Sequence, residues 1–289
     1  MLRVLKEANY WARKENTTEV TASHVVRALN EHRFRHNLYE EKVQERYDEQ
    51  SILLDVTGAV IGQVNALAVY QIGEIAFGRP SRITVESYMG KPGIVNVEHE
   101  AQLSGQTHDK GMMIIAGYLG RMFAQNYPLS VSISVSFEQN YSGIDGDSAS
   151  STELYAVLSS LSGYPIRQGI AVTGSVNQKG EIQAIGGVNE KIEGFFDVCT
   201  QKGLTGVQGV MIPSSNVKNL MLRKDVVDAI DRSMFHIYQV STIEQGIEVL
   251  TGIVAGEPDE NFNFPKNTLF EAVQNKLKKL HERSVQYNR

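Results

Sequence analysis

Gly143-Ile144-Asp145-Gly146-Asp147-Ser148-Ala149-Ser150 lies between a strand pattern and a helix pattern. Before this stretch, apolar residues alternate with serines over residues 131–137, which is typical of a strand. After it, apolar residues recur at helical spacing as far as residue 161 and predict an amphipathic helix that begins near Ala149. The glycines make the stretch itself a sharp turn. The order of strand, turn and helix is the point from which the rest of the chain can be interpreted.

Ser148 stands between the glycine turn and the predicted start of the helix. A hydroxyl at this place lies beside backbone N–H groups that the first helical turn leaves unpaired. Together with the helix dipole, those groups can stabilise an oxyanion. This is the setting that a nucleophilic serine needs. The alternative is that Ser148 or Ser150 caps the helix, which is the commoner role of serine at such positions.

One lysine is a candidate base for that serine. Gly186 and Gly187 precede a predicted helix, and by spacing Lys191 shares the apolar face of this helix with Val188 and Ile192. A lysine removed from water has a lowered pKa and can accept a proton from a serine hydroxyl. The alternative is a snorkelling lysine, whose long stem carries the ammonium group to solvent.

Other classes of site lack their signatures. The sequence contains no Gly-x-x-x-x-Gly-Lys-Ser/Thr loop, no Gly-x-Gly-x-x-Gly, no His-Glu-x-x-His and no Cys-x-x-Cys. We therefore predict no cofactor-binding residues and no metal site within this chain. His108 and His236 could meet a serine in space, but neither lies in a turn or a glycine-rich setting.

Composition limits the class of protein further. The 289 residues are 42% hydrophobic and carry a formal net charge of −5, so nucleic acid is not an expected partner. The one cysteine, Cys199, fits a reducing compartment. Neither a secretory signal nor an apolar run long enough to span a bilayer is present, so we expect no membrane partner and a cytoplasmic location.

The patterns divide the chain into three parts. Residues 1–48 are helical and charged, residues 49–255 mix strands with helices, and residues 256–289 form a linker and a last amphipathic helix. The helical pattern begins at Met1 without an N-cap, from which we expect a longer natural protein. The predicted strands of the middle part are 52–56, 60–67, 82–87, 93–98, 131–137, 170–176 and 207–212. Its predicted helices are 112–123, 149–161, 187–202, 216–231 and 242–251.

Two short motifs carry a resemblance to a known family. The segment 145–149 and the segment 186–191, whose serine and lysine are 191 − 148 = 43 residues apart, together resemble the paired signature of the Lon family of ATP-dependent proteases. Segments 168–176 and 210–216 resemble the family sequence before and after the lysine helix. The N-terminal helices resemble part of the helical lid of its AAA+ ATPase module. The resemblance implies an α+β fold, a mixed-sheet Lon-type protease domain preceded by a small helical segment.

The resemblance also implies roles for individual residues. Ser148 and Lys191 would form a Ser-Lys dyad without histidine. Thr173 would hydrogen-bond Lys191 and orient it, and Asp145 would influence the geometry or the charge of the dyad. Asp147 stands where the common bacterial members have proline, which favours an atypical or archaeal-like branch and leaves the role of Asp147 open.

The family further implies what the whole protein does. It would be a serine endopeptidase that cleaves unfolded or damaged proteins and peptides, and it would assemble as a homo-hexamer. Its ATPase module is absent from this chain, so ATP and Mg are expected with the full-length protein only. One alternative is a non-catalytic assembly or substrate-docking domain. Another is an unrelated hydrolase that acts on small molecules.

Overall fold

A seven-stranded mixed sheet forms the centre of the computed structural model, which describes residues 2–73, 75–90 and 93–287. The strands are β1 (Ala59–Val60), β2 (Gln63–Ile72), β3 (Ile75–Tyr88), β4 (Gly93–Asn96), β5 (Ser132–Phe137), β6 (Ile166–Arg167), β7 (Ile170–Val172), β8 (Ser175–Val176), β9 (Ile182–Gln183), β10 (Gly209–Pro213) and β11 (His236–Val240). The order in the large sheet is β11-β10-β7-β2-β3-β5-β4. Antiparallel β2/β3 and β3/β5 pairs stand among parallel pairs, which confirms the predicted mixed sheet and α+β class.

Helices precede the sheet and cover both of its faces. They are α1 (Leu2–Lys14), α2 (Ala22–His36), α3 (Leu38–Asp48), α4 (Val97–Glu100), α5 (Gln106–Phe123), α6 (Ser150–Ser162), α7 (Val188–Lys202), α8 (Lys224–Asp231), α9 (Ile243–Thr251) and α10 (Leu269–Tyr287). Successive side chains of a strand point to opposite faces, so each strand feeds two cores. Ala66 joins the core formed with α5, α6 and α10, whereas its neighbour Leu67 joins the core formed with α3, α7 and α8.

The β2/β3 hairpin is much longer than the strand beside it. It runs in unbroken antiparallel register from the pair Gln63–Thr84 to the pair Ile72–Ile75. On the other side of β2, the parallel partner β7 is in register with Asn65 and Ala66. Within the described residues, the rest of that edge of β2 has no strand partner. The hairpin therefore leaves a length of unpaired strand edge beside the end of β7.

Several predicted elements differ from the structure. Residues 52–56 are not a strand, although Ile52, Leu54 and Val56 are buried as the alternation requires. The predicted helix 216–231 is a 3-10 turn at Ser214–Asn219 followed by α8. The strand β11 was not predicted, and α5 begins six residues earlier than expected (106 against 112). The segment between the predicted strands 82–87 and 93–98 falls partly on residues outside those described.

Helix α3, before the sheet, packs with α7, and the last helix, α10, packs with α6. Val43 and Tyr47 of α3 belong to the same core as the buried face of α7. Leu277 and Leu280 of α10 belong to the same core as α6. The boundaries at residues 48/49 and 255/256 stay predictions. No helix of the described residues combines the length and apolar character that crossing a membrane requires.

Candidate active site

The glycine turn brings Ser148 to the beginning of α6. Gly143 and Gly146 have φ values of 84° and 92°, in the left-handed region that favours glycine. α6 begins at Ser150, and Ala149 occupies the N-cap position. The Ser150 hydroxyl accepts its hydrogen bond from the backbone of β8, outside the helix. The capping role considered for the two serines is therefore not the one that the structure shows.

Lys191 lies in the first turn of α7, after the Gly186-Gly187 pair. Its side chain is buried, with 3% of the residue exposed, among the apolar residues that line this face of the helix. The Nζ atom lies 2.8 Å from Ser148 Oγ and 3.0 Å from Thr173 Oγ1. A snorkelling lysine would place Nζ in solvent, whereas this one ends at two hydroxyl groups inside the protein.

Burial changes the charge state of Lys191. Removal from water disfavours the ammonium form and lowers the pKa of Lys191 to about 8. The negative charge of Asp147 acts in the opposite direction, but desolvation is the larger effect. A substantial fraction of Lys191 is consequently neutral in mildly alkaline solution, which a general base requires.

Thr173 follows β7 and connects the lysine to the serine turn. Its hydroxyl donates a hydrogen bond to the carbonyl oxygen of Ser148, over 3.2 Å. Since that bond uses its only hydrogen, Thr173 Oγ1 faces Lys191 as an acceptor. Lys191 therefore directs one N–H to Thr173. When the amine is neutral, its lone pair is available to Ser148.

The Asp147 carboxylate is hydrogen-bonded to a serine of β8. It accepts a hydrogen bond of 2.8 Å from the hydroxyl of Ser175 in β8. Its effect on Lys191 is therefore electrostatic and acts through space. Ser175 was not among the predicted site residues. Ser175 and Asp147 are 28 residues apart, and no motif or spacing in a single sequence indicates that they form a hydrogen bond.

Asp145 lies on the other side of the serine turn and contacts α5. Its Oδ1 accepts hydrogen bonds from the backbone N–H groups of Thr107 and His108, at 3.2 and 3.4 Å. A hydrogen bond from the backbone of Gly146, supported by these two, lowers the pKa of Asp145. The structure thus brings Ser148, Lys191 and Thr173 together and places Asp145 as a support of the turn.

A groove beside Ser148 has a cavity volume of about 260 Å³. One wall is the part of β2 around residues 67–70, and the other is the turn before the serine. Leu67, Phe137 and Ile144 give the groove an apolar lining. Ser148 is half-buried at its end. Sequence reasoning missed this groove because the unpaired edge of β2 depends on where β7 ends.

Within residues 2–73, 75–90 and 93–287, no set of three or more His, Cys, Asp or Glu side chains is arranged to hold a metal ion.

Comparison with known protein families gives matches in two regions of the chain. Residues 106–252 match the Lon protease (S16) C-terminal proteolytic domain. Residues 1–35 match the AAA+ ATPase LID domain of archaeal LonB. The catalytic candidates all lie within the first of these two matched regions.

Curated relatives share sequence over most of the chain. A putative Lon protease homolog of Escherichia coli is 39% identical over 252 residues, which is 86% of this chain and 42% of that protein. One from Haemophilus influenzae is 37% identical and covers 79% of this chain and 38% of that protein. An archaeal Lon protease of Thermococcus kodakarensis is 32% identical, and the match covers 68% of this chain and 28% of that protein. The chain thus spans less than half the length of these relatives.

Proposed function

This chain belongs to the Lon protease family, and we propose that it is a serine endopeptidase with Ser148 as nucleophile and Lys191 as general base. The observation that carries the proposal is the 2.8 Å contact between Lys191 Nζ and Ser148 Oγ at a buried lysine. Nucleophile and base within hydrogen-bond reach, with a third group that orients the base, is the arrangement that covalent catalysis requires. Thr173 is that third group.

Acylation begins with neutral Lys191. As Ser148 Oγ attacks the carbonyl carbon of the substrate, its proton moves to Lys191 Nζ, and the ammonium form later gives a proton to the leaving amine. The C–N bond breaks and an ester to Ser148 remains. For deacylation, the neutral lysine takes a proton from water as the water oxygen attacks the ester carbonyl carbon. The bond between that carbon and Ser148 Oγ then breaks, the acid product leaves, and the Lys191 ammonium returns its proton to Ser148 Oγ. Each cycle returns Lys191 to its starting state.

The oxyanion of each tetrahedral intermediate needs donors at the serine turn. We assign this role to the backbone N–H groups of Asp147 and Ser148, which lie just before α6 and its dipole. Asp147 would also set the pKa of Lys191 by its charge. Asp145 would hold the turn in position through its bonds to α5.

The groove suggests how a substrate is presented. An extended polypeptide can pair its backbone with the unpaired edge of β2, as strands add to exposed sheet edges in other peptide-binding proteins. Main-chain pairing accepts many sequences but demands an extended chain, so an unfolded protein or a peptide is the substrate class we propose. A folded protein would first have to be opened.

The match to an ATPase lid domain supports coupling of cleavage to ATP-driven unfolding. The sequence has no phosphate-binding loop, so ATP and Mg would bind to a module outside this chain. We also propose a homo-hexamer in the cytoplasm for the whole protein. Light scattering of the full-length protein tests the assembly, and a monomer at all concentrations would contradict it.

A fluorophosphonate probe, which reacts with activated serines, tests the dyad directly. The parent chain should gain the mass of one probe on the peptide that contains Ser148, and Ser148→Ala should gain none. Lys191→Met, which keeps the bulk and removes the base, should react far more slowly. Labelling of Ser148→Ala at the parent rate would exclude this nucleophile.

The main alternative is a docking domain that cleaves nothing. In that case the buried Lys191 would have to be kept for packing, although its desolvation costs stability. An apolar residue would pack equally well, so the protease is the function that we favour. Absence of probe labelling and of peptide cleavage in the full-length protein with ATP would support the alternative.

A further inference from the structure

Three titratable side chains lie buried on the helices that flank the serine turn. Glu98 of α4, His108 of α5 and Glu153 of α6 are 3%, 1% and 1% exposed. His108 Nε2 lies 3.5 Å from Glu153 Oε1. Within the described residues, His108 Nε2, both carboxyl oxygens of Glu153 and Glu98 Oε2 have no hydrogen-bond partner. This cluster has no part in the mechanism above.

Good packing of the core does not require the buried polar side chains of Glu98, His108 and Glu153. A buried polar group without a partner costs stability, and an apolar residue of the same size usually costs none. Burial, together with the charge of Glu98, raises the pKa of Glu153 well above its usual value. Burial also lowers the pKa of His108 and raises that of Glu98. A leucine at residue 153 would satisfy the core better than this glutamic acid.

Charged, aromatic and polar groups of neighbouring elements also face the cluster. Asp109 and Asp145 favour the charged form of His108, but its desolvation is the larger effect. The His108 ring meets the ring of Phe137 edge to face, with centroids 5.6 Å apart. Glu98 Oε1 accepts hydrogen bonds from the Phe137 N–H and the Ser136 hydroxyl of β5. The cluster therefore joins α4, α5, α6 and the strand that leads into the serine turn.

A short path of contacts connects His108 with Ser148. The N–H of His108 and that of Thr107 bind the carboxylate of Asp145, three residues before the serine. The backbone of Ile144 is bonded on both sides to the segment before α5, at Leu103 and Gly105, over 2.8 Å each. Whatever fixes the first turn of α5 also fixes the turn that carries the nucleophile.

We propose that His108 and Glu153 are positioning residues of the proteolytic site. Their side chains meet 3.5 Å apart between the first turn of α5 and α6, and the bonds from α5 to Asp145 transmit the position of this turn to Ser148. The inference rests on the proposed function, because it assigns the pair to the alignment of Ser148 with Lys191. It adds two residues that do not touch substrate and that the dyad chemistry does not require.

Substitutions at residue 153 separate positioning from packing. Glu153→Leu removes the polar contact with His108 and should raise the melting temperature while lowering kcat on a fluorogenic peptide about tenfold, with KM unchanged. Glu153→Gln keeps the shape and a polar group beside His108, and it should stay within about threefold of the parent kcat. Tyr155→Phe is the matched control on the same helix. It removes another buried, unpartnered polar atom, and kcat should be unchanged.

A double-mutant cycle tests the path through Asp145. If Glu153 acts through Asp145, Glu153→Leu combined with Asp145→Asn should lose about as much kcat as Asp145→Asn alone. Additive losses, or a parental kcat in Glu153→Leu, would overturn the inference. Should Glu153→Leu fail to fold by circular dichroism, His108→Phe replaces it with the same expected loss, and a parental kcat there overturns the inference as well. Ser148→Ala is measured in parallel, since a parent no more active than Ser148→Ala contradicts the proposed function itself.

Discussion

The backbone of Gly78 in β3 lies directly against the backbone of Lys191 in α7. A methyl group added at Gly78 would overlap the carbonyl oxygen of Glu190 and would come within 2.9 Å of the Lys191 Cα. One turn later, Gly194 meets the backbone of Gly78 from the helix side. Two glycines thus let a helix rest on a strand with no side chain between them. This crossing fixes how deeply the lysine reaches towards Ser148.

Gly78→Ala should therefore disable the site without unfolding the protein. All three of the nearest atoms belong to the backbone of α7, so the helix has to shift, and Lys191 shifts with it. Displacement of a catalytic group by about 1 Å can cost on the order of a hundredfold in rate. We expect a loss of that size in kcat for a fluorogenic peptide, with far-ultraviolet circular dichroism unchanged.

Gly120→Ala is the matched control for this substitution. Gly120 lies inside α5, and a methyl group there would meet no atom within 4 Å. Alanine is favoured over glycine in a helix by about 1 kcal/mol, so this variant should gain stability and keep its activity. If Gly78→Ala were as active as Gly120→Ala, the close crossing would not determine the position of the lysine.

The pH dependence of acylation should follow Lys191. In the proposed mechanism the neutral amine of Lys191 is the active form. Because the pKa of Lys191 is about 8, the rate of acylation should rise with pH up to that value and level off above it. The measurement is the second-order rate of Ser148 with a fluorophosphonate between pH 6 and 10. A rate that is flat across pH 8 would show that no lysine of this pKa serves as the base.

Lys191 should also affect stability, with a defined sign. Its pKa falls from 10.5 in the unfolded chain to about 8 in the folded protein, so between these values the unfolded state binds more protons. The contribution of Lys191 to the free energy of unfolding therefore rises across this pH range and is least favourable below it. Lys191→Met should be inactive, yet more stable than the parent at pH 7. Urea titrations at pH 7 and 10 measure both effects, and a Lys191→Met variant that is less stable than the parent at pH 7 would contradict the assigned cost of burial.

The dyad candidates could be found from sequence because each depends on local patterns. A glycine turn before a helix exposes Ser148, and helical spacing places Lys191 on an apolar face. Their 2.8 Å contact joins residues 43 apart and follows from the sheet, since β7 and Thr173 lie between them. The local patterns could not predict that Ser148 and Lys191 lie together; the resemblance to a known family predicted this pairing.

The failures of prediction have a common physical cause. Alternation over residues 52–56 correctly reports which side chains are buried, but a strand also needs a backbone partner. The N–H of Leu53 is bonded to the side chain of Gln139 instead. The groove exists because β7 ends before β2 does, so that part of the β2 edge stays unpaired. The buried cluster exists because three helices bring Glu98, His108 and Glu153 together. Contacts between residues that are distant in sequence produce no repeating pattern of apolar residues, so periodicity in a single sequence cannot predict them.

Asp147→Asn should shift the pH profile of acylation to lower pH. The carboxylate raises the pKa of Lys191, so its removal lets desolvation lower that pKa further. The amide oxygen can still accept the hydrogen bond from Ser175, which preserves the turn. The comparison is Asp145→Asn, since the Asp145 charge is not among the causes of the Lys191 shift. An equal displacement of the profile in both variants would rule out a specific effect of Asp147.

Thr173→Val should lower kcat and leave KM nearly unchanged. Valine has the same shape, but it neither accepts the N–H of Lys191 nor donates to the carbonyl of Ser148, so the lysine loses the group that directs its lone pair to the serine. Misplacement of a catalytic group can cost on the order of a hundredfold in rate, and we expect a loss of up to that size. Thr173→Ser keeps the hydroxyl and should recover most of the activity. A valine variant with the parent kcat would show that burial alone orients Lys191, whereas a serine variant as slow as valine would point to the lost methyl group.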